Sequence, residues 1–303
     1  MPRFDWNDLQ SFLAVARAGR LTVAAQQMGI DHSTLSRRVA ALEKALGVML
    51  FERRSVGFTL TPEGEQLLGD AESMETLAMR MRSRPGDAAH GLTGTVRIGT
   101  PEGFGTYFLA PRIMGLAASH PELDIELVAN PRQFSLSKRE ADLAVSMERP
   151  SQGRVYANKL VDYALGVYAS RAYLDSHAAI RPRRDLAAHR WVGYVEDLMW
   201  TSELDYLPQV APSLVPRIRI SNVISQLTAL IGGAGLGVLP HFMARTVPEL
   251  VRILPGKVRL MRSYWLVTHA DTRDLARVKL MAEFIREEAS RASAQFWLDR
   301  RSG

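Results

Sequence analysis

The sequence predicts an α/β fold preceded by a small all-α winged helix-turn-helix unit. Three observations predict it. Three helix-period segments, each closed by a glycine, fill residues 5–47, and two β-rich runs around a Ser-Val-Gly turn follow them. From Gly94 onward the chain alternates short apolar strands with amphipathic helices.

The chain has 303 residues, enough for two domains that each bury a sizeable core. Hydrophobic residues are 47% and charged residues 23%, the balance of a soluble globular protein. Cysteine is absent, which excludes disulfides, thiol catalysis and thiolate metal sites. The opening "MPRFDWNDLQ" lacks the basic and apolar regions of a signal peptide. The weakly polar run "LTALIGGAGLGVLP" is too short and glycine-rich to span a membrane. These features predict a cytoplasmic protein with no membrane partner. The net charge of +6 and pI near 9.8 suggest an anionic partner, nucleic acid or metabolite. That charge is spread out, +3 over residues 1–60, −3 over 61–90 and +6 over the rest, so a nucleic-acid reading must rest on motif.

The elements follow in order. Residues 5–18 read as a helix with Leu9, Phe12, Leu13 and Ala16 on one face, ended by Gly19. "LTVAAQQMG" reads as a short helix capped by Thr22 and closed by Gly29. Asp31 caps the next helix, whose apolar stripe is Leu35, Val39, Leu42 and Leu46. "VMLFERRSVGFTLT" reads as a two-stranded wing carrying Arg53 and Arg54 near its tip. Thr61 then caps a long helix with Pro62 in its first position, ending at Arg84-Pro85-Gly86. Its length is about 33 Å at 1.5 Å per residue. Leu67, Ala71, Met74, Ala78 and Met81 form a seven-residue repeat, a narrow seam suited to a twin helix or to its own wing domain. Beyond it, residues 95–100, 123–129, 142–147, 164–169, 190–195, 217–221, 236–240 and 263–269 read as strands, and 108–121, 222–235 and 271–292 as helices. This alternation predicts mostly parallel sheets, and its length predicts two lobes.

The chemistry concentrates at residues 25–38. Ala25 is the small residue where two helices cross, Gly29 permits the turn four residues later, and Leu35 anchors the second helix ten after Ala25. The second helix enters with small and basic residues: His32, Ser33, Thr34, Ser36, Arg37 and Arg38. Hydroxyls there suit phosphates or base edges, a histidine suits a purine edge, and an arginine suits guanine or phosphate. Arg53 and Arg54 on the wing suit backbone or minor groove. The pattern predicts double-stranded DNA as a partner.

At this point the sequence resembles a known family. "AAQQMGIDHSTLSRRVAALEKALGVMLFERRSVGFTLTPEGEQLL" is similar to the N-terminal domain of LysR-type transcriptional regulators. The matching residues are Ala24-Ala25, Met28-Gly29, Ser36, Leu42-Glu43, Leu46-Gly47, the Leu50-Phe51-x-Arg53 run and the Leu60-Thr61-x-x-Gly64 run. Where the family often has Gln, this chain has His32, which implies a different half-site preference. "ADLAV" and "GAGLGVLP" resemble recurring segments of the family's second domain. The resemblance implies a winged helix-turn-helix over 1–61, a dimerising linker helix and hinge over 62–90, and an effector-binding domain over 91–303. That domain would have two α/β lobes like a periplasmic solute-binding protein, lobe 1 being about 91–163 and 266–303 and lobe 2 about 164–265. It also implies a homodimer through the linker helix, a homotetramer as a dimer of dimers, and a small-molecule effector, with no cofactor and no enzymatic activity.

In two-lobed domains the ligand sits in the cleft, at strand ends and helix N-termini. Thr100, Glu102 and Phe104 follow the first strand of the domain. The resemblance favours Thr100 as an effector contact, and helix N-capping is its other role. Asn130 and Arg132 follow the second strand; Tyr194 and Glu196, Asn222 and His241 follow later strands and could face the same cleft. Rival chemistries find no support. "GGAGLG" fails the dinucleotide spacing and order, and the seven histidines include no pair at ligand spacing, so no metal is expected. The alternative from another class is a solute-binding or enzymatic α/β protein with an N-terminal assembly domain.

Overall fold

A computed structural model describes residues 5–54, 57–82, 92–130, 140–151 and 154–297. The chain divides into two compact units, residues 1–90 and 91–303.

The first unit contains α1 (Trp6–Ala18), α2 (Leu21–Met28), α3 (His32–Leu46), the wing strands β1 (Phe51–Arg54) and β2 (Gly57–Leu60), and α4 (Pro62–Arg82). Its first three helices each end on a left-handed glycine, Gly19, Gly29 and Gly47, with φ of 65°, 65° and 73°. Asp5 caps α1 through a 3.0 Å bond from Asn7 N. The expected cap at Thr22 is not formed. Arg20 occupies the cap position in extended backbone and α2 starts at Leu21, so Thr22 lies inside the helix. Leu9, Phe12, Leu13, Ala24, Ala25, Leu35, Val39 and Leu42 make one buried cluster with Leu50 and Phe51. Burying such side chains stabilises by about 1.5–3 kcal/mol each, which is why this short segment holds three helices together.

Several motif residues prove architectural. Glu43 Oε1 accepts from Leu50 N (2.8 Å) and Phe51 N (3.3 Å), fixing the start of β1. Thr61 Oγ1 donates to Met49 O at 2.7 Å and accepts from Gly64 N at 3.0 Å, so one hydroxyl joins the wing to α4. A Cβ on Gly64 would fall 2.2 Å from Leu50 O, so only glycine lets α4 start against that strand. The wing closes on α1 by a 2.8 Å bond from Phe58 N to Gly19 O.

The seam of α4 is divided. Leu67, Leu68 and Ala71 pack on the unit's own core. Arg17 of α1 pairs with Glu75 at 2.6 Å and approaches Glu72 at 4.0 Å. Farther along, Met74 is 42% and Leu77 57% exposed. The first half of the seam thus packs on its own unit, and Met74 and Leu77 are uncovered in the single chain. The Met81 side chain lies outside the described residues.

The second unit runs β3 (Gly94–Thr100), one turn α5 (Glu102–Phe104), a π-helical stretch over Gly105–Leu109, α6 (Ala110–Ser119), β4 (Leu123–Ala129), β5 (Leu143–Ser146), β6 (Val155–Ser170) and α7 (Arg171–Asp175). It continues with β7 (Val192–Gly193), α8 (Leu207–Val210), β8 (Ile218–Arg219), α9 (Val223–Ile231), β9 (Gly237–Pro240), α10 (His241–Ala244), β10 (Leu250–Ile253), β11 (Leu260–His269), α11 (Ala276–Arg291) and α12 (Ser293–Phe296). The expectation of mostly parallel pairing is corrected here. The main sheet runs β10-β6-β11-β5-β3-β4, with β9 also on β6. In it only β3 pairs in parallel, with β4 and β5; the other pairings are antiparallel. The cause is β6, a 16-residue strand that lies along β11 from Val155–His269 to Leu165–Leu260. Its first half belongs with β5, β3 and β4, and its second half with β9 and β10. These two long strands therefore carry the chain between two lobes, and the space between the lobes opens beside them.

Candidate functional site

The front of α3 is built on Asp31. Its carboxylate accepts from Thr34 N (2.8 Å), Ser33 Oγ (2.5 Å) and Thr34 Oγ1 (2.8 Å). The Ser33 hydroxyl, then the Thr34 amide and hydroxyl, hold the Asp31 carboxyl well below the usual carboxylate range. A carboxylate there also complements the helix dipole. This changes the chemistry expected of Ser33 and Thr34. Their protons are committed to Asp31, so outward they offer lone pairs. As placed, they can accept from the amino group of adenine or cytosine and cannot donate to a phosphate. His32 and Arg37 are exposed, while Ser36 and Arg38 are half-buried. Among the described residues neither Arg37 nor Arg38 makes an ion pair, so both guanidiniums are available. On the wing, exposed Arg53 stands 5.6 Å from the Phe58 ring centroid. The side chain of Arg54 lies outside the described residues; its backbone closes the β1–β2 ladder opposite Gly57.

The second unit contains a cleft of about 420 Å³ including its mouth. One wall is Pro101, Glu102 and Gly103 after β3, with Met147 after β5. The other is Tyr194, Trp200, Leu204 and Tyr206, with Ser221, Asn222 and Val223 at the start of α9. Tyr163 of β6 and Tyr264 of β11 complete the lining with Pro240. These two rings stack at 4.2 Å with an interplanar angle of 10°, while Tyr194 meets Tyr206 edge-on at 6.1 Å. Burial pushes the hydroxyls of Tyr163, Tyr194, Tyr206 and Tyr264 up from the usual phenol range, so all four stay neutral. Burial also raises the Glu102 carboxyl. In this lining Glu102 Oε2 is buried without a hydrogen-bond partner, while the Tyr163 hydroxyl lies against those of Tyr206 and Tyr264. A second cleft of about 860 Å³ lies across Tyr194 and Tyr206 and is lined by Glu196, Leu207, Pro216 and Arg219 among others.

A family model described as the LysR substrate binding domain matches residues 89–290, more than half of the chain. A second, described as a bacterial regulatory helix-turn-helix protein of the lysR family, matches residues 6–65. The chain belongs to the LysR family. It is a DNA-binding transcriptional regulator with an effector-binding domain. This LysR-type regulator is 29% identical over 291 residues to the HTH-type transcriptional regulator PtxR of Pseudomonas aeruginosa, covering 94% of this chain and 93% of that protein. It is 23% identical over 276 residues to the Mau operon transcriptional activator of Paracoccus denitrificans, covering 89% and 91%. These relatives are regulators and not enzymes, so the enzymatic alternative falls away. In fold it is similar to a full-length OxyR variant from P. aeruginosa, with a TM-score of 0.67 and 20% identity over 94% of this chain and 98% of that one. It is also similar to CrgA of Neisseria meningitidis, with a TM-score of 0.57 and 20% identity over 94% and 99%.

The regulator brings together three of the nine residues that sequence reasoning offered for the effector cleft: Glu102, Tyr194 and Asn222. Phe104 is instead a core residue, fully buried against Phe108, Tyr264 and Phe296. Thr100 is fully buried beneath the π-helical stretch, where a Cβ on Gly105 would fall 2.3 Å from its Oγ1. It neither lines the cleft nor caps the helix; Pro101 holds the cap position. Asn130 is half-buried, and its backbone N–H donates to Thr100 O at 3.1 Å, away from the lining. Glu196 lines the second cleft. His241 is turned to Tyr168, with Nδ1 2.7 Å from its hydroxyl. Arg132 lies outside the described residues. The side chains that sequence reasoning missed are Tyr163, Trp200, Tyr206 and Tyr264. Among the described residues no helix is long and apolar enough to cross a membrane, and no group of three residues is placed to hold a metal.

Proposed function

We propose that this regulator reads a promoter half-site with the front of α3, pairs with a second copy through α4, and responds in the cytoplasm to a small molecule in the tyrosine-lined cleft. The proposed division is residues 1–61 for DNA, 62–90 for pairing and hinge, and 91–303 for sensing, with lobes of about 91–163 plus 266–303 and 164–265. His32, Ser36, Arg37 and Arg38 form the reading edge with Ser33 and Thr34 as acceptors, and Arg53 and Arg54 hold the flanking backbone. The observation that carries this reading is the contrast within α3. Leu35, Val39 and Leu42 are buried, while the arginines one and two turns from its start carry no ion pair. A surface helix kept only for packing has no need of uncompensated guanidiniums facing out.

Met74 and Leu77, three residues apart on one face of α4, support pairing with a twin helix. A dimer of dimers is proposed on the family pattern, with its two reading helices about one DNA turn apart in each pair. A gel-shift titration on the DNA upstream of its own gene tests the reading. Parent protein forms a discrete, competitor-resistant complex, and Ser36→Ala and Arg37→Ala each weaken it. If both variants bind as well as the parent, the reading edge is not on this face.

A further inference from the structure

The geometry points to a small ligand bearing a protonated amine as the occupant of the tyrosine-lined cleft, held by Glu102 and by the Tyr163 hydroxyl. This rests on the reading of that cleft as the effector site. Three observations carry it.

First, the charge of the lining is one-sided. Among the described residues that line the cleft, Glu102 is the one side chain other than tyrosine that titrates, and there is no lysine, arginine or histidine. Arg262 stands 5.6 Å from the Tyr206 ring centroid, but it is not part of the lining and is already paired with Glu203. A carboxylate or phosphate ligand would therefore meet a like charge and no counter-cation. The N-terminus of α9 carries partial positive charge beside the same cleft, and Asn222 Oδ1 takes one of its free N–H groups, Ser225 N, at 2.8 Å.

Second, the unfilled hydrogen-bonding capacity has the right polarity. Glu102 Oε2 is buried without a partner, and the fully buried Tyr163 hydroxyl has the phenols of Tyr206 and Tyr264 as its neighbours. An ionised carboxylate can only accept, and a buried one without a donor is costly. An ammonium group brings three donors and the opposite charge, which is what the Glu102 oxygen lacks. Burial raises the Glu102 carboxyl, and a cation beside it would draw it back down.

Third, five aromatic rings surround these oxygens: Tyr163, Tyr194, Trp200, Tyr206 and Tyr264. Ring quadrupoles attract a desolvated cation within about 6 Å of the centroid. Burial keeps the four phenols neutral, so they add no negative charge that would bind metal ions instead.

The test compares three probes of one length on the full chain: n-butylammonium, butyrate and 1-butanol, each titrated calorimetrically and by tryptophan fluorescence. Butylammonium is expected to bind saturably, and butyrate and butanol are not. Glu102→Gln is expected to weaken the amine about tenfold or more, the loss of one charged hydrogen bond. Tyr163→Phe gives the same comparison with a smaller loss if the first variant fails to fold. The proposal is overturned if butyrate binds more tightly than butylammonium, if both variants bind the amine as the parent does, or if no probe binds. Operator affinity measured with and without each probe separates this from the reading beneath it. Amine binding that needs Glu102 but leaves operator affinity unchanged upholds the amine site and overturns the effector reading. Butyrate binding that shifts operator affinity upholds the effector reading and overturns the amine.

Discussion

Met74→Glu probes the proposed pairing role of α4 most cleanly, because the side chain is already outside the folded unit's core. Met74 is 42% exposed in the single chain, so pairing has that fraction left to bury. Full burial of a methionine is worth about 1.5–3 kcal/mol, and the exposed fraction scales this to roughly 1 kcal/mol per chain. A twofold interface loses it twice, about 2 kcal/mol, or roughly a tenfold to hundredfold rise in the dimer Kd. Two facing carboxylates that lose water add to that loss. The fold of the single unit should hardly change, since Arg17–Glu75 and the Leu67, Leu68 and Ala71 contacts stay intact. Sedimentation velocity over a dilution series reads the dimer Kd directly. Thermal melting at a concentration where parent and variant are both monomeric checks the fold. An unchanged Kd would refute the pairing role of this face, and a large drop in monomer stability would show that Met74 serves its own domain instead.

Three further outcomes follow from the first unit. Leu35→Ala removes the fully buried anchor of α3 and should destabilise this unit by about 2–5 kcal/mol in urea unfolding. Gly64→Ala forces a Cβ against Leu50 O, so α4 or β1 must shift; a loss of about 1–3 kcal/mol is expected, measured the same way. Asp31 gives a pH dependence. Its carboxyl is depressed in the folded state, so its contribution is present above the ordinary carboxylate range and is lost as pH falls toward the folded value. Asp31→Asn keeps a cap acceptor without the titration, so the parent should lose stability relative to this variant as pH drops below about 4. Equal pH profiles would mean that the Ser33 and Thr34 bonds do not hold Asp31 charged.

The parts of this regulator that were legible in the sequence are those decided locally. Asp31 and Thr61 announce their caps because a short acceptor precedes a helical run, and both bonds form. Thr22 misled because Gly19 turns the chain early, leaving Arg20, two residues before Thr22, as the extended residue before α2. The spacing of Ala25, Gly29 and Leu35 was readable because helix crossing fixes it within one turn of chain. The sheet was not. Lys159 and Asp162 interrupt the apolar pattern in the first half of β6, so a strand of 16 residues reads as residues 164–169 alone, and its antiparallel partner β11 lies about a hundred residues away. The cleft was hidden for the same reason. Tyr163, Trp200, Tyr206 and Tyr264 come from separate segments, and only the long-range pairing of β6 with β11 and the short turns around residue 200 bring them to one place. Phe104 and Thr100 were misplaced because position after a strand does not say whether a side chain turns to the cleft or to the core beneath it.

The central claim is that the exposed front of α3 reads base sequence. Its most direct test is the ratio of affinities for the upstream duplex and a scrambled duplex of equal length, measured by fluorescence anisotropy at fixed salt for the parent and for Arg37→Ala. The parent is expected to prefer its own sequence, and Arg37→Ala to lose about tenfold or more of that preference, the worth of one good base contact. A variant that keeps the full ratio while binding both duplexes more weakly would place Arg37 on phosphate alone, and a variant equal to the parent on both would contradict the claim.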